Sequence, residues 1–385
     1  MQPVDFKKDS WGKLIKAPGG YWAFVPNPLP PKVAIGWDLT NNISAADRSM
    51  GELVGIARTL PNPYLLVRPF MRREAVLSSR IEGTQASLSQ LLLFEAAETT
   101  AAPDSDVREV LNYVTALEEG LALLKELPVS MRLIRGVHGR LMDKVRGQHR
   151  TPGEFRTSQN WIGPPGCTLN EATFIPPPVS EMKNALGELE KFLHEKPAFP
   201  PLVQLALIHY QFEAIHPFLD GNGRVGRLLI ILLLCAERLL PQPLLYLSAY
   251  FERNRKQYYD LLLEVSQEGN WAEWIRFFLR GVEEESRDAV KRSDKLLRLW
   301  QGYRERFQSA RSSALLLRLV DELFSRPAIT VSWAATRLRI TPRAAQLNID
   351  KLVASGILKE ATGRQRNRIY VANGIVRIVD APKAN

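Results

Sequence analysis

The sequence has very little cysteine and no hydrophobic run long enough to cross a membrane. Cys167 and Cys235 are the 2 cysteines in 385 residues, which excludes a disulfide-rich scaffold and favours a reducing compartment. The apolar run from Leu228 to Cys235 is far shorter than the ~20 residues that a membrane-spanning helix needs. The segment from Met1 to Ser10 lacks the apolar core of a signal peptide. These absences predict a cytoplasmic protein with no membrane partner.

The rest of the composition is typical of a globular protein. Charged residues make up 24% of the chain and hydrophobic residues 45%, and the net charge is +10. A chain of 385 residues is long enough for two or three domains, each with its own core.

A glycine-rich loop lies between two predicted helices at residues 216–227, which read His-Pro-Phe-Leu-Asp-Gly-Asn-Gly-Arg-Val-Gly-Arg. Before it, apolar residues recur at helical spacing from Leu202 to Ile215, and Pro217 ends that pattern. His216 is therefore predicted to lie at a helix end. The apolar run that begins at Leu228 predicts a central buried helix, and the loop leads into its N-terminus.

The charges of this loop indicate an anion-binding site. Arg224 and Arg227 fall in the first turn of the second helix, where the helix dipole is already positive, so that two cations are unfavourable without an anion. Free N–H groups, glycines and guanidinium groups together suit phosphate. Asp220 offers a hard oxygen ligand for Mg²⁺, and His216 is placed to act as a general base. The spacing fits neither the Gly-Lys-Ser/Thr phosphate loop nor the dinucleotide fingerprint.

The loop resembles, at every position, the signature of the Fic domain family, His-x-Phe-x-Asp/Glu-Gly-Asn-Gly-Arg-x-x-Arg. The resemblance implies transfer of AMP from ATP to Ser, Thr or Tyr hydroxyls of proteins, including the enzyme itself. It implies that His216 deprotonates the hydroxyl, Asp220 holds Mg²⁺ and Arg227 fixes the γ-phosphate. The residues expected to bind ATP are Gly221, Asn222, Gly223, Arg224, Val225, Gly226 and Arg227, and in addition Asn254 and Tyr258.

Asn254, Tyr258 and Tyr259 belong to a polar aromatic stretch that follows the loop. In related proteins such residues face the motif loop, so that they are expected to line the adenine pocket. Packing in the core is the alternative interpretation.

A second motif precedes the loop. The sequence predicts a helix from Val67 to Ile81, with Gly83 as its left-handed stop and Ser87 and Gln90 as a capping box for the next helix. Taken alone, Glu82 at the helix end is a solvated carboxylate. Residues 78–83, however, are similar to the inhibitory motif Ser/Thr-x-x-x-Glu-Gly/Asn of one class of the Fic family. The resemblance implies that Ser78, Glu82 and Gly83 form an inhibitory segment in which Glu82 pairs with Arg227 and displaces the γ-phosphate.

Residues 153–176 predict a β-hairpin, because short β-prone runs flank the turn at Pro164, Pro165 and Gly166. In the Fic family a hairpin at this place, called the flap, lies over the active site and holds the target segment as an added strand. An ordinary surface hairpin is the alternative.

The C-terminal residues 312–378 predict three helices and two strands, the pattern of a winged helix-turn-helix. Thr341 with Pro342 begins the third helix and Gly356 ends it. Basic residues exceed acidic ones in this tail. Arg364, Arg366 and Arg368 on the wing are expected to reach phosphates, and Arg343 and Gln346 to reach base edges of DNA. Such domains also bind proteins or their own dimer mate, so that a DNA partner, a protein partner and a homodimer are all left open.

Together the patterns predict a mainly α protein with a helical Fic fold, a β-hairpin flap and a C-terminal winged helix-turn-helix. The predicted divisions are an N-terminal arm and inhibitory region at 1–103, a Fic catalytic domain at 104–310 and a winged helix domain at 311–385. The predicted function is an autoinhibited protein adenylyltransferase. Two alternatives stay open: a DNA-binding regulator whose Fic core senses nucleotide, and removal of AMP by a water that Glu82 aligns.

Overall fold

Helices make up most of the fold, as the sequence predicts. The computed structural model describes residues 1–59, 62–97, 104–145, 151–307 and 314–383. The α-helices are α1 (Trp37–Thr59), α2 (Tyr64–Ile81), α3 (Leu88–Ala96), α4 (Ser105–Leu123), α5 (Met131–Leu141), α6 (Val179–His194), α7 (Pro201–Ile215), α8 (Asn222–Ala236), α9 (Ser248–Arg253), α10 (Arg255–Glu268), α11 (Trp271–Glu305), α12 (Ala314–Ser325), α13 (Val331–Leu338), α14 (Pro342–Ala354) and α15 (Asn373–Asp380). The β-strands are β1 (Gly12–Lys16), β2 (Trp22–Pro26), β3 (Ala328–Ile329), β4 (Lys359–Glu360) and β5 (Tyr370–Val371).

The centre of the fold is the pair α7 and α8, which are joined by the glycine-rich loop. Both helices are buried on nearly all sides. Helices α4 and α5 pack against α8, whereas α6, α10 and α11 pack against α7. The apolar run that the sequence shows at Leu228 is therefore the core of a helical domain, and the loop is held at the end of two rigid elements.

The N-terminal residues contain a β-hairpin where the sequence predicts only an extended arm. Strands β1 and β2 are antiparallel, with Gly12 opposite Pro26 and Lys16 opposite Trp22. Phe24 is fully buried and its N–H donates to the carbonyl of Ile175 at 2.9 Å. Each strand is only five residues long and prolines follow closely, so that the alternating pattern is too short to be recognised in the sequence.

Helix α2 carries the segment from Ser78 to Gly83. It includes Pro69 and ends at Glu82, and Gly83 has a φ of +96°, the left-handed conformation predicted for it. Ser87 and Gln90 form the predicted capping box of α3. Helix α2 contacts α4, α8 and α9 of the helical body, and it also contacts α12 and α15.

The C-terminal residues form the predicted winged helix-turn-helix. Thr341 caps α14 through the N–H of Ala344, and the wing lies between β4 and β5. The sheet has three strands in the order β3-β5-β4, whereas the sequence predicts two, because β3 is a two-residue strand before α13. Helix α15 was also not predicted from the sequence. Its C-terminal carbonyls of Ile378, Val379 and Ala381 accept hydrogen bonds from Arg292 of α11.

The predicted domain divisions stay predictions. The division between residues 310 and 311 lies outside the described residues, and the one between 103 and 104 lies at the edge of the undescribed residues 98–103. Among the helices that the structure describes, none combines the length and the apolarity that a bilayer span requires.

Candidate active site

The loop between α7 and α8 has a fixed shape. His216 ends α7 with a φ of 50°, and Gly221 precedes α8 with a φ of 78°. The Asn222 side chain bonds both the N–H and the carbonyl of Phe218, at 2.8 Å each. Asn160 donates to the carbonyls of His216 and Phe218. Asn222, expected at the phosphates, therefore uses its side chain to hold the loop.

His216 lies at the wall of a pocket of about 560 Å³ between α7, α8, α10 and the flap segment. Burial lowers the pKa of His216 to about 4, with a further contribution from Arg156. Its Nδ1 lies 3.3 Å from the carbonyl oxygen of Glu213. The imidazole is therefore neutral near pH 7 and able to accept a proton.

The first turn of α8 forms an anion seat. Gly221 at its start has no side chain to cap the helix, and its N–H donates to Oδ1 of Asp220 at 2.6 Å. A Cβ atom on Gly223 would overlap Oε1 of Glu82 and lie 3.1 Å from Nη1 of Arg227. The Glu82 carboxylate thus lies directly over the backbone of Gly223. It occupies the place that the helix dipole and the free N–H groups favour for an anion.

Arg227 is held by the α2 segment through three hydrogen bonds. Its Nη2 donates to Oε1 of Glu82 at 2.6 Å and to the carbonyl of Ser78 at 3.0 Å, and its Nε donates to Oγ of Ser78 at 2.9 Å. The Arg227 side chain is 1% exposed and that of Glu82 is 33% exposed. Burial by itself would raise the pKa of Glu82, but Arg227 lowers it below its usual value, so that both partners are charged.

Arg224 takes a different direction from Arg227. It is buried, and its Nη1 lies 3.4 Å from Oε2 of Glu109 on α4. Arg224 does not line the pocket, in contrast to Gly223 and Arg227. The predicted contact of its side chain with the phosphate chain stays a prediction.

The structure also separates three other predicted residues from the pocket. Asn254 lies in a different cavity, beside Arg253 and Lys256, and its amide donates to the carbonyl of Tyr250. The Val225 side chain is buried in the core, and its N–H is used by the carbonyl of Gly221. Gly226 packs against the carboxyl group of Glu213.

Tyr258 does line the pocket, with its hydroxyl 2.8 Å from Nε2 of the buried His209. It is also part of an aromatic cluster with Phe251 at 4.5 Å between ring centroids. Tyr258 thus lines the pocket and packs in the core, and its expected contact with adenine stays a prediction.

Three pocket residues were not predicted from the sequence: Tyr210, Glu213 and Arg255. Tyr259, predicted with Tyr258, lies in the pocket wall. Burial raises the pKa of Glu213 to about 8, and its Oε1 is shielded from solvent with no hydrogen-bond partner in the described structure. Tyr210 and Glu213 precede His216 by six and three residues on α7. That helical spacing is the signal that would have found them.

The flap segment lies over the pocket as predicted, but it is not a regular hairpin. Ile162 and Phe174 form a single antiparallel bridge with hydrogen bonds of 2.9 and 3.0 Å, and residues 169–171 form a 3-10 turn. Prolines at 164 and 165 and at 176–178 have no N–H to extend the ladder. Trp161 and Ile162 are 41% and 37% exposed at the pocket rim, which leaves an apolar surface there.

The residues around Asp220 fit a Mg²⁺ ion that is bound mainly by phosphates. The Asp220 side chain is 38% exposed and lies 3.8 Å from Arg224. Among the described residues, no group of three or more His, Cys, Asp or Glu side chains converges on one point. One carboxylate beside a phosphate seat is the donor set that Mg²⁺ uses with nucleotides.

Three segments of the chain match models of known protein families. Residues 40–122 match the Fic/DOC family N-terminal model, residues 128–234 match the Fic/DOC family model, and residues 316–376 match a model of an HTH DNA binding domain. The protein adenylyltransferases Fic of Aedes aegypti and Culex quinquefasciatus are 29% and 28% identical over 208 residues, which is 51% of this chain and 37% of each relative. The chain thus spans little more than a third of the length of these relatives.

Two solved structures share the fold. A Fic family protein from Desulfovibrio desulfuricans has a TM-score of 0.56 at 19% identity and covers 89% of this chain and 98% of its own. A Fic domain containing signaling protein from Bacteroides thetaiotaomicron has a TM-score of 0.51 at 20% identity, with coverages of 67% and 97%. The first of these two structures therefore matches more of this chain than the predicted Fic catalytic domain at 104–310.

Proposed function

The chain belongs to the Fic/DOC family, and on that premise we propose that it transfers AMP from ATP to hydroxyl side chains of proteins, itself included, and that Glu82 inhibits the transfer. The observation that carries the proposal is the Glu82 carboxylate over Gly223, paired with Arg227 at 2.6 Å, in the pocket that also contains His216. A carboxylate seated on a helix N-terminus between glycine and arginine marks the place of a phosphate group.

In the proposed reaction, neutral His216 takes the proton from a Ser, Thr or Tyr hydroxyl. The hydroxyl oxygen forms a bond to the α-phosphorus of ATP, and the bond from the α-phosphorus to the bridging oxygen breaks. Pyrophosphate leaves, and the AMP group stays on the target. The free N–H groups at the start of α8 stabilise charge on the phosphates, which is the largest contribution that a preorganised site makes to such a reaction.

The positions of the substrates follow from the pocket walls. Tyr259, which is 41% exposed beside the buried Tyr258, offers aromatic surface for the nucleoside, and the exposed Trp161 and Ile162 offer apolar surface for the target segment. Asp220 would hold Mg²⁺, which when bound neutralises phosphate charge. Arg227 would bind the γ-phosphate after Glu82 leaves.

The inhibition that we propose is a competition for Arg227. A guanidinium group that already donates to Glu82 and Ser78 has few donors left for the γ-phosphate. The same carboxylate covers the anion seat over Gly223, so that ATP meets like charge there. Removing the Glu82 side chain therefore uncovers both parts of the site.

The C-terminal domain supports a second function, binding of DNA. Its match to an HTH DNA binding domain and the exposed Arg343, Arg364, Arg366 and Arg368 on α14 and the wing favour a polyanionic partner. This domain would localise the enzyme or carry a signal to it. The cytoplasmic location stays a prediction.

The test is transfer of label from α-labelled ATP to protein with Mg²⁺, in wild type, Glu82→Gly and His216→Ala. Label that rises in the Glu82 variant and is absent from the His216 variant supports the proposal. If all three proteins bind ATP but none becomes labelled, the proposal is wrong, and a DNA-binding regulator whose Fic core senses nucleotide takes its place. Loss of label from a protein that already carries AMP, dependent on Glu82, would show the reverse reaction instead.

A further inference from the structure

Glu109 of α4 lies between the inhibitory segment and the first motif arginine. Its Oε2 accepts a hydrogen bond from Oγ1 of Thr84 at 2.7 Å and lies 3.4 Å from Nη1 of Arg224. The three side chains are buried, with Thr84 at 1% exposure and the other two at 4%. Thr84 follows Glu82 by two residues. One carboxylate therefore joins the turn after Glu82 to the catalytic loop.

Helix α4 also fixes the rest of this turn. The N–H of Gln85 donates to Oδ2 of Asp106 at 2.8 Å, and the N–H of Thr84 donates to the carbonyl of Ser79 at 3.1 Å. One turn further along α4, the hydroxyl of Tyr113 donates to Glu74 in the middle of α2. Helix α4 thus bonds the turn after Glu82 and the middle of α2, so that Arg227 is not the one residue that holds the inhibitory segment in place.

Glu109 is the nearer and more buried of two carboxylates that face Arg224. The other is Asp220, whose Oδ1 lies 3.8 Å away and whose side chain is 38% exposed; Sδ of Met142 lies at 3.6 Å, and Nε of Arg224 is buried with no partner in the described structure. A buried guanidinium that loses its nearer carboxylate is unfavourable, so that Arg224 would move toward Asp220. Glu109 therefore sets the position of Arg224 relative to Asp220 and the start of α8.

We propose that Glu109 is a positioning residue that couples Arg224 to the inhibitory segment, so that Ser78, Glu82 and Thr84 together hold both motif arginines. This inference rests on the proposed function, because it concerns the same nucleotide site and its inhibition. The Thr84 hydroxyl stabilises the position in which Glu82 covers the anion seat. The charge of Glu109 fixes Arg224 for binding of the nucleotide. The two contacts can be broken separately.

The first experiment replaces Thr84 by valine, which removes the hydroxyl and keeps the shape. Since one buried hydrogen bond is lost, we expect transfer of label from α-labelled ATP to rise about two- to tenfold over wild type. In the Glu82→Gly background the same change adds nothing, because the hydroxyl acts through Glu82. The matched control is Ser79→Ala, because the Ser79 hydroxyl is buried without a partner in the described part of the chain, and this variant keeps the wild-type rate.

The second experiment replaces Glu109 by glutamine in the Glu82→Gly background. The amide still accepts from Thr84, but it has no charge for Arg224. We expect KM for ATP to rise about threefold to tenfold with kcat nearly unchanged, since a charge-assisted contact in the ground state is weakened. A general loss of structure would lower kcat and the melting temperature as well, and that result would overturn the positioning role.

Different results would contradict the proposed inhibition by Glu82 and the proposed coupling through Glu109. If Glu82→Gly does not exceed wild type, the proposed inhibition is wrong. If Glu82→Gly is activated but Thr84→Val behaves as wild type, or if Thr84→Val activates equally in the Glu82→Gly background, the coupling through Glu109 is wrong and the inhibition stands. An unchanged KM for ATP in the Glu109→Gln variant would also overturn the coupling.

Discussion

The Glu82 carboxylate lies where a side chain on Gly223 would be, because a Cβ atom at Gly223 would overlap its Oε1. One small volume over the first turn of α8 is thus open to a carboxylate of the same chain, to a phosphate or to a methyl group, but only to one of them. The proposed competition between Glu82 and phosphate can therefore be tested by a substitution of Gly223 as well as by one of Glu82.

We expect Gly223→Ala to abolish most AMP transfer even when Glu82 is absent. Gly223 has no left-handed backbone to strain, so that the methyl group acts by filling the seat. In the Glu82→Gly background, KM for ATP should rise at least tenfold in the label-transfer assay. If the double variant transfers AMP at the same rate as the single Glu82→Gly variant, no phosphate binds over Gly223.

We expect the transfer rate of Glu82→Gly to stay level from pH 8 to about pH 5.5. The pKa of His216 is lowered to about 4 by burial, so that the base takes up a solvent proton only as the pH approaches 4. Removal of Glu82 lowers that pKa further, because Glu82 favours the charged imidazole. Single-turnover rates against pH measure this, and an inflection near 6.5 would mean that His216 is exposed to water during the reaction.

We expect Ser78→Ala in the Glu82→Gly background to raise KM for ATP about tenfold. Ser78 accepts from Nε of Arg227 at 2.9 Å, and the loss leaves a buried charged donor without that partner, at a cost of about 1.5–3 kcal/mol. Ser79→Ala on the same helix is the control, since it removes an unbonded hydroxyl. Equal effects of the two serine changes would argue against a role of Ser78 in placing Arg227.

We expect Glu82→Gln to unfold at a lower temperature than wild type at pH 7, and this difference to shrink below about pH 4.5. The pKa of Glu82 in the folded protein is lowered, so that its contribution to stability is present above the unfolded value and is lost as the pH falls through the folded value. Thermal melts at pH 7, 5 and 3.5 measure the difference. A constant difference across this range would contradict the charged pair with Arg227.

We expect the triple change of Arg364, Arg366 and Arg368 to alanine to weaken binding of duplex DNA and to reduce its salt dependence. Each arginine that neutralises a phosphate contributes about 0.9 to the slope of log affinity against log salt concentration. Arg287→Ala is a control, because this exposed arginine of α11 pairs with Glu283 outside the wing. Unchanged affinity and slope would direct the search to a protein partner.

The sequence by itself predicted the parts of the site that are local. Pro217, the glycines and the apolar runs dictate a loop between two helices, and Gly83 and the Ser87–Gln90 capping box dictate where α2 ends and α3 begins. These signals depend on backbone conformation over a few residues, which neighbouring residue types control directly. The winged helix was predictable for the same reason, since Thr341 and Pro342 mark a helix start.

Only the tertiary structure decided which side chains of those helices meet. Arg224 and Arg227 are three residues apart on α8, yet one is directed to Glu109 and the other to Glu82 and Ser78. Asn254 and Tyr258 are four apart and lie in different cavities, and the flap forms one bridge because its prolines stop the ladder. The rotation of each helix about its axis is set by long-range packing, which no local pattern contains. Sequence therefore determined where the ends of the helices lie, and packing determined what each end touches.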